Sequence, residues 1–398
     1  MHILMVSALF PTPAVPKAFG GAEIVARRLA DALVERGAKI TVVRTSEPGT
    51  VVTEEEAEGM RVISLPIRNS YSPFGAVREH GTATKLLWHA RDDFGTSAEM
   101  YKLLGEEKPD VVHTHNIGAL STGVWRAARL ARVPLVHTLH DYYLLCPRTT
   151  RFRDGVVCVR PCTDCRLLTY RRRANAHAVR DVVGVSRAVL QPHIDRGLFA
   201  AARHHVVPNI IQPEFSALPH PVSSPVTFGF LGRITIEKGV ERLAEAFGAM
   251  NSDARLVFGG RIDDAMRGRL LAQAGGKAID FLGFVSPTDF FRTIDVLVVP
   301  SIWDDPLPTV ILEAQTAGVP AIGSRRGGIG EAIGGDAAGW TFDPDAPGSL
   351  RALLDCIANN PAAIRARAAA THSAAARFRA EVIAAQYGAV YEGAAISA

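Results

Sequence analysis

The sequence predicts an α/β fold built from two parallel sheets, and three observations support this. Apolar runs of strand length recur along the chain, helical patterns separate several of them, and the alternation restarts after a proline-rich stretch. Parallel strands buried on both faces read as unbroken apolar runs, so the pattern favours parallel sheets covered by helices. At roughly 150 residues per domain, the length of 398 residues suits two domains.

The first half of the chain begins with a strand, a loop and a helix. Residues 2–9 form an apolar run, and after a Pro/Gly loop residues 22–36 carry apolar side chains at helical spacing, closed by Gly37. Further apolar runs predict strands at 39–45, 110–115, 134–140 and 181–186. This half therefore predicts one parallel sheet.

After the proline-rich stretch the same alternation returns. Apolar runs predict strands at 226–231, 256–259, 279–285, 295–300 and 320–323. Helices are predicted at 240–250 and 309–317, and alanine-rich helical sequence follows to the end of the chain. The second half therefore predicts a second α/β sheet.

The proline-rich stretch divides the chain. Five prolines between residues 208 and 225 resist both helix and central strand, so a linker is predicted at 209–225. It separates an N-terminal Rossmann-like domain, 1–208, from a C-terminal Rossmann-like domain, 226–378. Residues 379–398 predict a C-terminal helix that can pack back on the N-terminal domain. Open parallel sheets bind ligands at the carboxyl ends of their strands, so two such sheets predict a cleft between the domains.

Composition narrows the function classes. Hydrophobic residues make up 47% and charged residues 21% of the chain, which is typical of a well-packed globular protein. The net charge of +4 is far below that of a dedicated nucleic-acid binder, so no nucleic-acid partner is expected. No apolar run approaches the roughly 20 residues of a membrane span, and the start lacks the features of a signal peptide. We therefore expect a cytoplasmic protein.

A glycine pair precedes the first predicted helix, where Gly20, Gly21, Ala22 and Glu23 follow the first strand. Glycine lets an anion approach the backbone at a helix N-terminus, although a glycine pair in a loop is also an ordinary turn. The spacing is not the dinucleotide fingerprint, and neither the P-loop pattern nor the zinc-protease pattern HExxH occurs. Common NTPase and zinc-protease functions therefore lose their main sequence support.

Two cations lie in the loop after the strand at 226–231. Arg233 and Lys238 are separated by five positions and bordered by Gly232 and Gly239. They can converge on a diphosphate, and each charge-assisted contact is worth roughly 1.5 to 3 kcal/mol. The alternative is a solvated lysine beside a helix cap.

Two acids flank the start of the helix predicted at 309–317. Asp305 precedes the helix N-terminus and Glu313 lies a turn inside, an arrangement that can hold sugar hydroxyls together with a diphosphate. An N-cap acid and an ordinary helix glutamate are the alternative. A second glycine-rich helix entrance with an acid follows at residues 327–331.

Taken in order, these segments form a recognisable series. They are Gly20-Gly21-Ala22-Glu23, His140-Asp141, Val185-Ser186, Pro208-Asn209, Gly232-Arg233, Glu237-Lys238-Gly239, residues 305–313 and Gly327-Gly328-Ile329-Gly330-Glu331. The series spans nearly the whole chain and resembles the retaining glycosyltransferases of family four. That resemblance implies the GT-B fold, in which two Rossmann-like domains face each other across a cleft.

By this resemblance the C-terminal domain binds a nucleoside diphosphate sugar without a catalytic metal. Arg233 and Lys238 would hold the donor diphosphate, Glu313 would bind the ribose and Asp305 would contact hydroxyls of the donor sugar. The further donor-binding positions implied by the resemblance are Gly20, Gly21, Gly283, Phe284, Leu307, Thr309, Val310, Gly328 and Glu331. The family usually has glutamate where Asp305 stands, so this sugar contact is one methylene shorter.

The resemblance also implies a catalytic side chain. His140 ends a predicted strand and matches the family's active-site histidine, which faces the sugar, while Asp141 would orient the loop. A satisfied structural histidine is the alternative. The implied reaction transfers a sugar, with retention at the anomeric carbon, to a hydroxyl of a glycan or lipid-linked glycan. An epimerase of the same fold and a non-catalytic nucleotide-sugar binding module would share the donor site.

Four of the five cysteines crowd into a basic insertion predicted at 146–175. They are Cys146, Cys158, Cys162 and Cys165. Four thiolates could complete a structural zinc site, while free thiols or a redox-labile pair are the alternatives. Between Arg148 and Arg180 lie nine arginines and two aspartates. This segment is either a solvated face or a contact for a lipid-linked diphosphate or an anionic membrane, at whose inner face the protein would sit peripherally.

Overall fold

The computed structural model describes residues 1–13, 15, 20–47, 52–66, 97–118, 120–211 and 222–396. The chain forms two compact units. Unit 1 comprises Met1–Thr150, Val159–Ile210 and Ala380–Ala398, and unit 2 comprises Arg151–Cys158 and Ile211–Arg379. The chain passes into unit 2 after Ile210, and most of the linker predicted at 209–225 lies outside the described residues. Part of the insertion predicted at 146–175 belongs to unit 2.

Unit 1 contains an eight-stranded sheet. Its strands are β1 (His2–Val6), β2 (Lys39–Ser46), β3 (Thr53–Ala57), β4 (Met60–Pro66), β5 (Val111–Thr114), β6 (Leu135–Leu139), β9 (Asp181–Gly184) and β10 (Arg203–Val206). A separate hairpin, β7 (Phe152–Arg153) and β8 (Val156–Val157), lies between β6 and β9 in the sequence and belongs to unit 2. The strand order is β10-β9-β6-β5-β1-β2-β4-β3. Every neighbouring pair is parallel except β3 and β4.

Unit 1 contains seven α-helices among the described residues. They are α1 (Gly21–Glu35), α2 (residues 97–107), α3 (Gly123–Leu130), α4 (Thr163–Leu168), α5 (Tyr170–Asn175), α6 (Arg187–Ile194) and α14 (Ala380–Ile396). The core on one face joins Val25 and Leu29 of α1 to Ile383 and Tyr387 of α14. The last helix is therefore part of the core of unit 1.

Unit 2 contains a six-stranded, wholly parallel sheet in the order β13-β12-β11-β14-β15-β16. The strands are β11 (Val226–Leu231), β12 (Ala254–Gly259), β13 (Ile279–Gly283), β14 (Val296–Val299), β15 (Ala321–Ser324) and β16 (Gly339–Phe342). The helices are α7 (Val240–Gly248), α8 (Asp264–Gln273), α9 (Pro287–Phe291), α10 (Thr309–Thr316), α11 (Ile329–Ile333), α12 (Ser349–Ala358) and α13 (Pro361–Ala375). The strand order reverses at β11: β12 and β13 follow on one side of it, and β14 begins the other side. Such switch points bind ligands at the carboxyl ends of the strands.

The predicted α/β class with two parallel sheets is confirmed. The predicted helices at 22–36, 240–250 and 309–317 end within two residues of α1, α7 and α10. The sequence analysis did not predict β3, β4, β10 or β16, and β16 interrupts the region after residue 323 that was predicted to be helical. The three consecutive glutamates of β3 look unlike a strand but suit a charged sheet edge. In the part of the chain that the structure describes, no helix is long and apolar enough to cross a membrane.

Candidate active site

Gly239 brings the loop after β11 against the end of β14 in unit 2. It has a left-handed conformation, with φ of 73°, at the start of α7. A Cβ atom there would lie 1.9 Å from the carbonyl oxygen of Pro300, so only glycine allows this approach. The backbone N–H of Ile302 also donates to the carbonyl oxygen of Glu237 at 3.0 Å. This packing places Lys238 beside the residues that follow β14.

Lys238 and Asp305 form an ion pair at this switch point. Lys238 Nζ donates to Asp305 Oδ2 at 2.6 Å and lies 5.4 Å from the ring centroid of Trp303. The side chain of Asp305 is 7% exposed and that of Lys238 is 20% exposed, so the pair is screened less than a surface pair. The structure thus brings two of the sequence-predicted donor residues into direct contact.

The glycine-rich segment before α11 holds the main chain of Asp305. Gly328 N donates to the carbonyl oxygen of Asp305 at 2.7 Å. Gly327 has φ of 53°, and a Cβ atom on it would lie 2.1 Å from the same oxygen. The two sequence motifs therefore pack together, and this packing fixes the position of the carboxylate that Lys238 contacts.

Arg233, Gly283 and Phe284 lie at the same end of the sheet as Lys238. Gly260 N donates to the carbonyl oxygen of Gly283 at 2.7 Å, which joins the loops after β12 and β13. Arg233 is exposed and forms no hydrogen bond or ion pair with any described residue. Phe284 is 83% exposed, and its ring centroid lies 5.8 Å from the guanidinium carbon of Arg261. This edge thus presents a free cation and an open aromatic surface.

The remaining predicted donor residues lie around the starts of α10 and α11. Thr309 and Val310 open α10, with Leu307 buried just before them and Glu313 half-buried one turn inside. Among the described residues no side chain caps α10, so its first N–H groups keep their capacity to bind an anion. Glu331 lies in the first turn of α11 and is exposed.

In unit 1, the start of α1 contacts the loop after β5. Gly20 precedes α1 in an extended conformation and Gly21 opens the helix. Glu23, in the first turn, is buried, and its Oε1 accepts a hydrogen bond from Asn116 Nδ2 at 2.9 Å. Asn116 Oδ1 in turn accepts from Gly118 N at 3.1 Å. The glycine motif therefore positions a carboxylate at the carboxyl end of the sheet.

His140 follows β6 and lines a pocket of unit 1. Its Nε2 lies 2.9 Å from Nδ1 of His115, which follows the neighbouring strand β5. Asn116, Asp141 and Tyr143 line the same pocket. Burial lowers the pKa of His140 to about 4. The ring is therefore neutral near pH 7 and can act there as a hydrogen-bond donor or acceptor, but not as a cation.

Asp141 organises the loop after β6. Its Oδ1 accepts a hydrogen bond from Tyr143 N at 2.7 Å. The carbonyl oxygen of Tyr143 accepts from Arg172 Nη1 at 2.6 Å, and the guanidinium carbon of Arg172 lies 3.7 Å from the tyrosine ring centroid. Burial raises the pKa of Asp141 to about 6, with a further increase from Glu23 and opposing effects of Tyr143 N–H and Arg172. The arginine-rich segment is thereby attached to the pocket loop.

Asp141→Asn should remove a pH dependence of stability. The folded chain, in which burial raises the pKa of Asp141 to about 6, binds the proton more tightly than the unfolded chain does. The wild type therefore loses stability as pH rises from about 4 to above 6. The free energy of unfolding of the variant, measured relative to that of the wild type, should therefore rise by on the order of 2 to 3 kcal/mol between about pH 4 and pH 8. Urea unfolding at both pH values measures this, and a pH-independent difference would contradict it.

The predicted zinc site consists of four clustered cysteines. Cys146, Cys162 and Cys165 lie in unit 1 and Cys158 in unit 2, and all four are free thiols. Among the described residues, no group of three or more His, Cys, Asp or Glu could hold a metal ion. Burial, helped by hydrogen bonds with Cys162 and Cys146, raises the pKa of Cys165 to about 12. The zinc prediction has no support in this structure.

Sequence reasoning missed several residues of the unit 1 pocket, including His115, Asn116 and Tyr143. One signal was present: His113 and His115 stand two positions apart at the end of an otherwise apolar strand. Alternate positions of a strand point to the same face, so two histidines there predict a polar cluster.

Two family descriptions match the chain. "Glycosyltransferase Family 4" matches residues 19–215, and "Glycosyl transferases group 1" matches residues 214–376. Between them they extend over all the candidate site residues described above.

Individual proteins of known sequence or structure are also similar to the chain. An uncharacterized 42.6 kDa protein in the cps region of Klebsiella pneumoniae is 28% identical over 333 residues, which cover 83% of this chain and 87% of that protein. UDP-Gal:alpha-D-GlcNAc-diphosphoundecaprenol alpha-1,3-galactosyltransferase of Escherichia coli is 25% identical over 263 residues, covering 59% and 63%. HepE of Anabaena, solved with UDP and glucose, has a TM-score of 0.69 at 18% identity, covers 99% of this chain and 100% of its own, and shares the fold. The chain has the GT-B fold and belongs to glycosyltransferase family 4.

Proposed function

We propose that this glycosyltransferase moves a sugar from a nucleoside diphosphate sugar to a hydroxyl acceptor with retention at the anomeric carbon. Binding of the nucleotide-sugar donor is supported above all by the 2.6 Å contact between Lys238 and Asp305 at the switch point of unit 2. A phosphate-binding cation and a carboxylate that can accept hydrogen bonds from sugar hydroxyls meet where open parallel sheets bind ligands. The complex of HepE with UDP and glucose supports a nucleotide sugar as the donor.

The donor diphosphate would be bound by Lys238, Arg233 and the uncapped start of α10, whose N–H groups and positive dipole end favour an anion. Glu313, one turn into α10, would accept hydrogen bonds from the ribose, and Asp305 from the donor sugar. Because side chains supply the positive charge, the proposed reaction uses no catalytic metal ion.

In the proposed reaction, the bond between the anomeric carbon and the diphosphate oxygen breaks while the acceptor oxygen bonds to that carbon on the same face. The acceptor proton passes to an oxygen of the leaving diphosphate. Lys238 and Arg233 stabilise the charge that develops on the leaving group. His140 would hydrogen-bond the sugar, and Asp141 would hold the loop after β6.

The acceptor proposal rests on the arginine-rich segment around α4. Three large apolar side chains there are strongly exposed: Val159 at 78%, Tyr170 at 65% and Leu167 at 47%. Arg160 and Arg166 are exposed and close to them in the sequence. Cations beside exposed apolar side chains suit the surface of an anionic membrane. The diphosphoundecaprenol acceptor named for the Escherichia coli relative supports a lipid-linked acceptor, reached by peripheral contact with the membrane.

Replacing both Arg160 and Arg166 by Ala should weaken binding to anionic vesicles. Each basic contact contributes about 1 kcal/mol near such a membrane, so binding should fall about tenfold to thirtyfold. The matched control removes two exposed arginines of unit 2, Arg255 and Arg292. Sedimentation with anionic and neutral vesicles, at low and high salt, measures the effect. Equal losses in both double variants, or no preference for anionic vesicles, would favour a soluble acceptor.

A transfer assay tests the reaction class. The purified protein is incubated with a panel of nucleotide sugars and a lipid diphosphate glycan in the presence of a chelator, and the product is analysed by NMR. We expect the sugar on the acceptor, with the anomeric configuration of the donor. Donor isomerisation without acceptor would identify an epimerase, and donor binding without transfer or hydrolysis a binding module. If the sugar is transferred without the chelator but not with it, catalysis depends on a metal ion and the proposed metal-independent reaction is contradicted.

A further inference from the structure

A connected set of polar side chains lies behind His140 in unit 1. Tyr391 Oη of α14 lies 2.8 Å from His113 Nδ1, and His113 Nε2 lies 2.8 Å from Thr138 Oγ1. The ring centroid of His113 is 4.0 Å from that of His115, whose Nδ1 contacts His140 Nε2. Burial lowers the pKa of both His113 and His115 well below the usual range, so these rings are neutral.

The contact between His115 and His140 is a hydrogen bond between two neutral rings. The centroids are 5.2 Å apart and the ring planes differ by 26°, which fits an edge-to-edge bond lying close to both planes. A neutral imidazole carries one N–H, so one of the two facing nitrogens is protonated and the other is a lone pair. The direction of this single bond therefore fixes the tautomer of both histidines.

The other nitrogen of His115 indicates that direction. His115 Nε2 is buried and has no hydrogen-bond partner among the described residues. If His140 donated, the proton of His115 would remain on Nε2 as a buried N–H without an acceptor. If His115 donates, Nε2 is an unpaired lone pair. Buried unpaired N–H groups are rarer in native proteins than under-satisfied acceptors, so the second arrangement is favoured.

We propose that His115 is a positioning residue: its Nδ1–H donates to His140 Nε2 and holds His140 in the Nδ1–H tautomer. His140 Nδ1 has no partner within the described chain, and His140 lines the pocket together with Asn116 and Asp141. The ring therefore presents an N–H donor to the pocket, where it would bind a hydroxyl oxygen of the sugar. The identity of that hydroxyl rests on the proposed function, whereas the tautomer does not.

The tautomer can be measured without a substrate. In protein with ¹⁵N-labelled histidines, the His140 signals are those that disappear in His140→Asn. We expect wild-type His140 to show a protonated Nδ1 and an unprotonated Nε2 near pH 7. In His115→Leu, which fills similar space without a donor, this single tautomer should be lost. A protonated Nε2 in wild type, or an unchanged tautomer in His115→Leu, would overturn the proposal.

Kinetics test the consequence for transfer. Loss of the donated bond should lower kcat about threefold to tenfold in His115→Leu with little change in KM for the donor. His115→Asn, whose side-chain amide can donate from nearly the same position, should recover most of kcat. Equal losses in both variants would indicate a packing role and contradict the proposal. If the wild type transfers no sugar, the proposed function fails while the tautomer measurement still decides the role of His115.

Discussion

Lys238→Ala should lower kcat/KM for the nucleotide sugar about tenfold to a hundredfold, because it removes a charge-assisted contact to the diphosphate worth roughly 1.5 to 3 kcal/mol. Initial rates over a range of donor concentrations measure this loss. The matched control is Lys277→Ala, since Lys277 also lies in unit 2 but its Nζ donates to the carbonyl oxygen of Met250. The control should retain wild-type kinetics.

The same substitution leaves the buried carboxylate of Asp305 without its partner, so stability needs a separate measurement. Lys238→Ala should lower the free energy of unfolding by about 1 to 3 kcal/mol. Combining Lys238→Met with Asp305→Asn removes both charges and should recover most of that stability without recovering activity. Unchanged kcat/KM in a folded Lys238→Ala protein would contradict the donor-site proposal.

Gly239→Ala should destabilise unit 2 by more than about 3 kcal/mol, because two unfavourable effects coincide. The added Cβ would be held in a left-handed backbone conformation and would lie 1.9 Å from the carbonyl oxygen of Pro300. The substitution also displaces Lys238 from its site, so donor binding should fall. Urea unfolding followed by tryptophan fluorescence measures the loss.

Gly268→Ala provides the matched control for this prediction. Gly268 lies inside α8, and a Cβ atom there meets nothing within 4 Å. Alanine is favoured over glycine within a helix, so this variant should be more stable than wild type by roughly 0.5 to 1 kcal/mol. If the two alanine variants had equal stability, the close approach at Gly239 would not constrain the fold.

The sheets were predictable because buried parallel strands leave long apolar runs, and the ends of those runs gave the positions of Arg233 and Lys238. Strand β3 could not be predicted in this way, since its glutamates belong to an exposed edge that needs no apolar pattern. The contact between Lys238 and Asp305 was also beyond sequence reasoning. It depends on how two loops pack through Gly239 and Gly327, and spacing along the chain does not report such packing.

The histidines also show that spacing along the chain does not report which residues become neighbours in the fold. His140 was identified through the family resemblance, but its partner His115 was not. His115 follows a different strand, and the two become neighbours only through the parallel pairing of β5 and β6. For the cysteines, close spacing in the sequence suggested four ligands of one metal, whereas the described residues include no group of three or more ligands that could hold a metal ion.

The assignment of α14 to unit 1 has a consequence for how the protein is made. Unit 2 interrupts unit 1, because the chain leaves unit 1 at Ile210 and returns at Ala380. Domains usually fold in the order of their synthesis. Here the first unit to emerge from the ribosome lacks Tyr387 and Tyr391, which complete its core and contact Thr138 and His113. Unit 1 can therefore finish folding only after the whole of unit 2 has been synthesised.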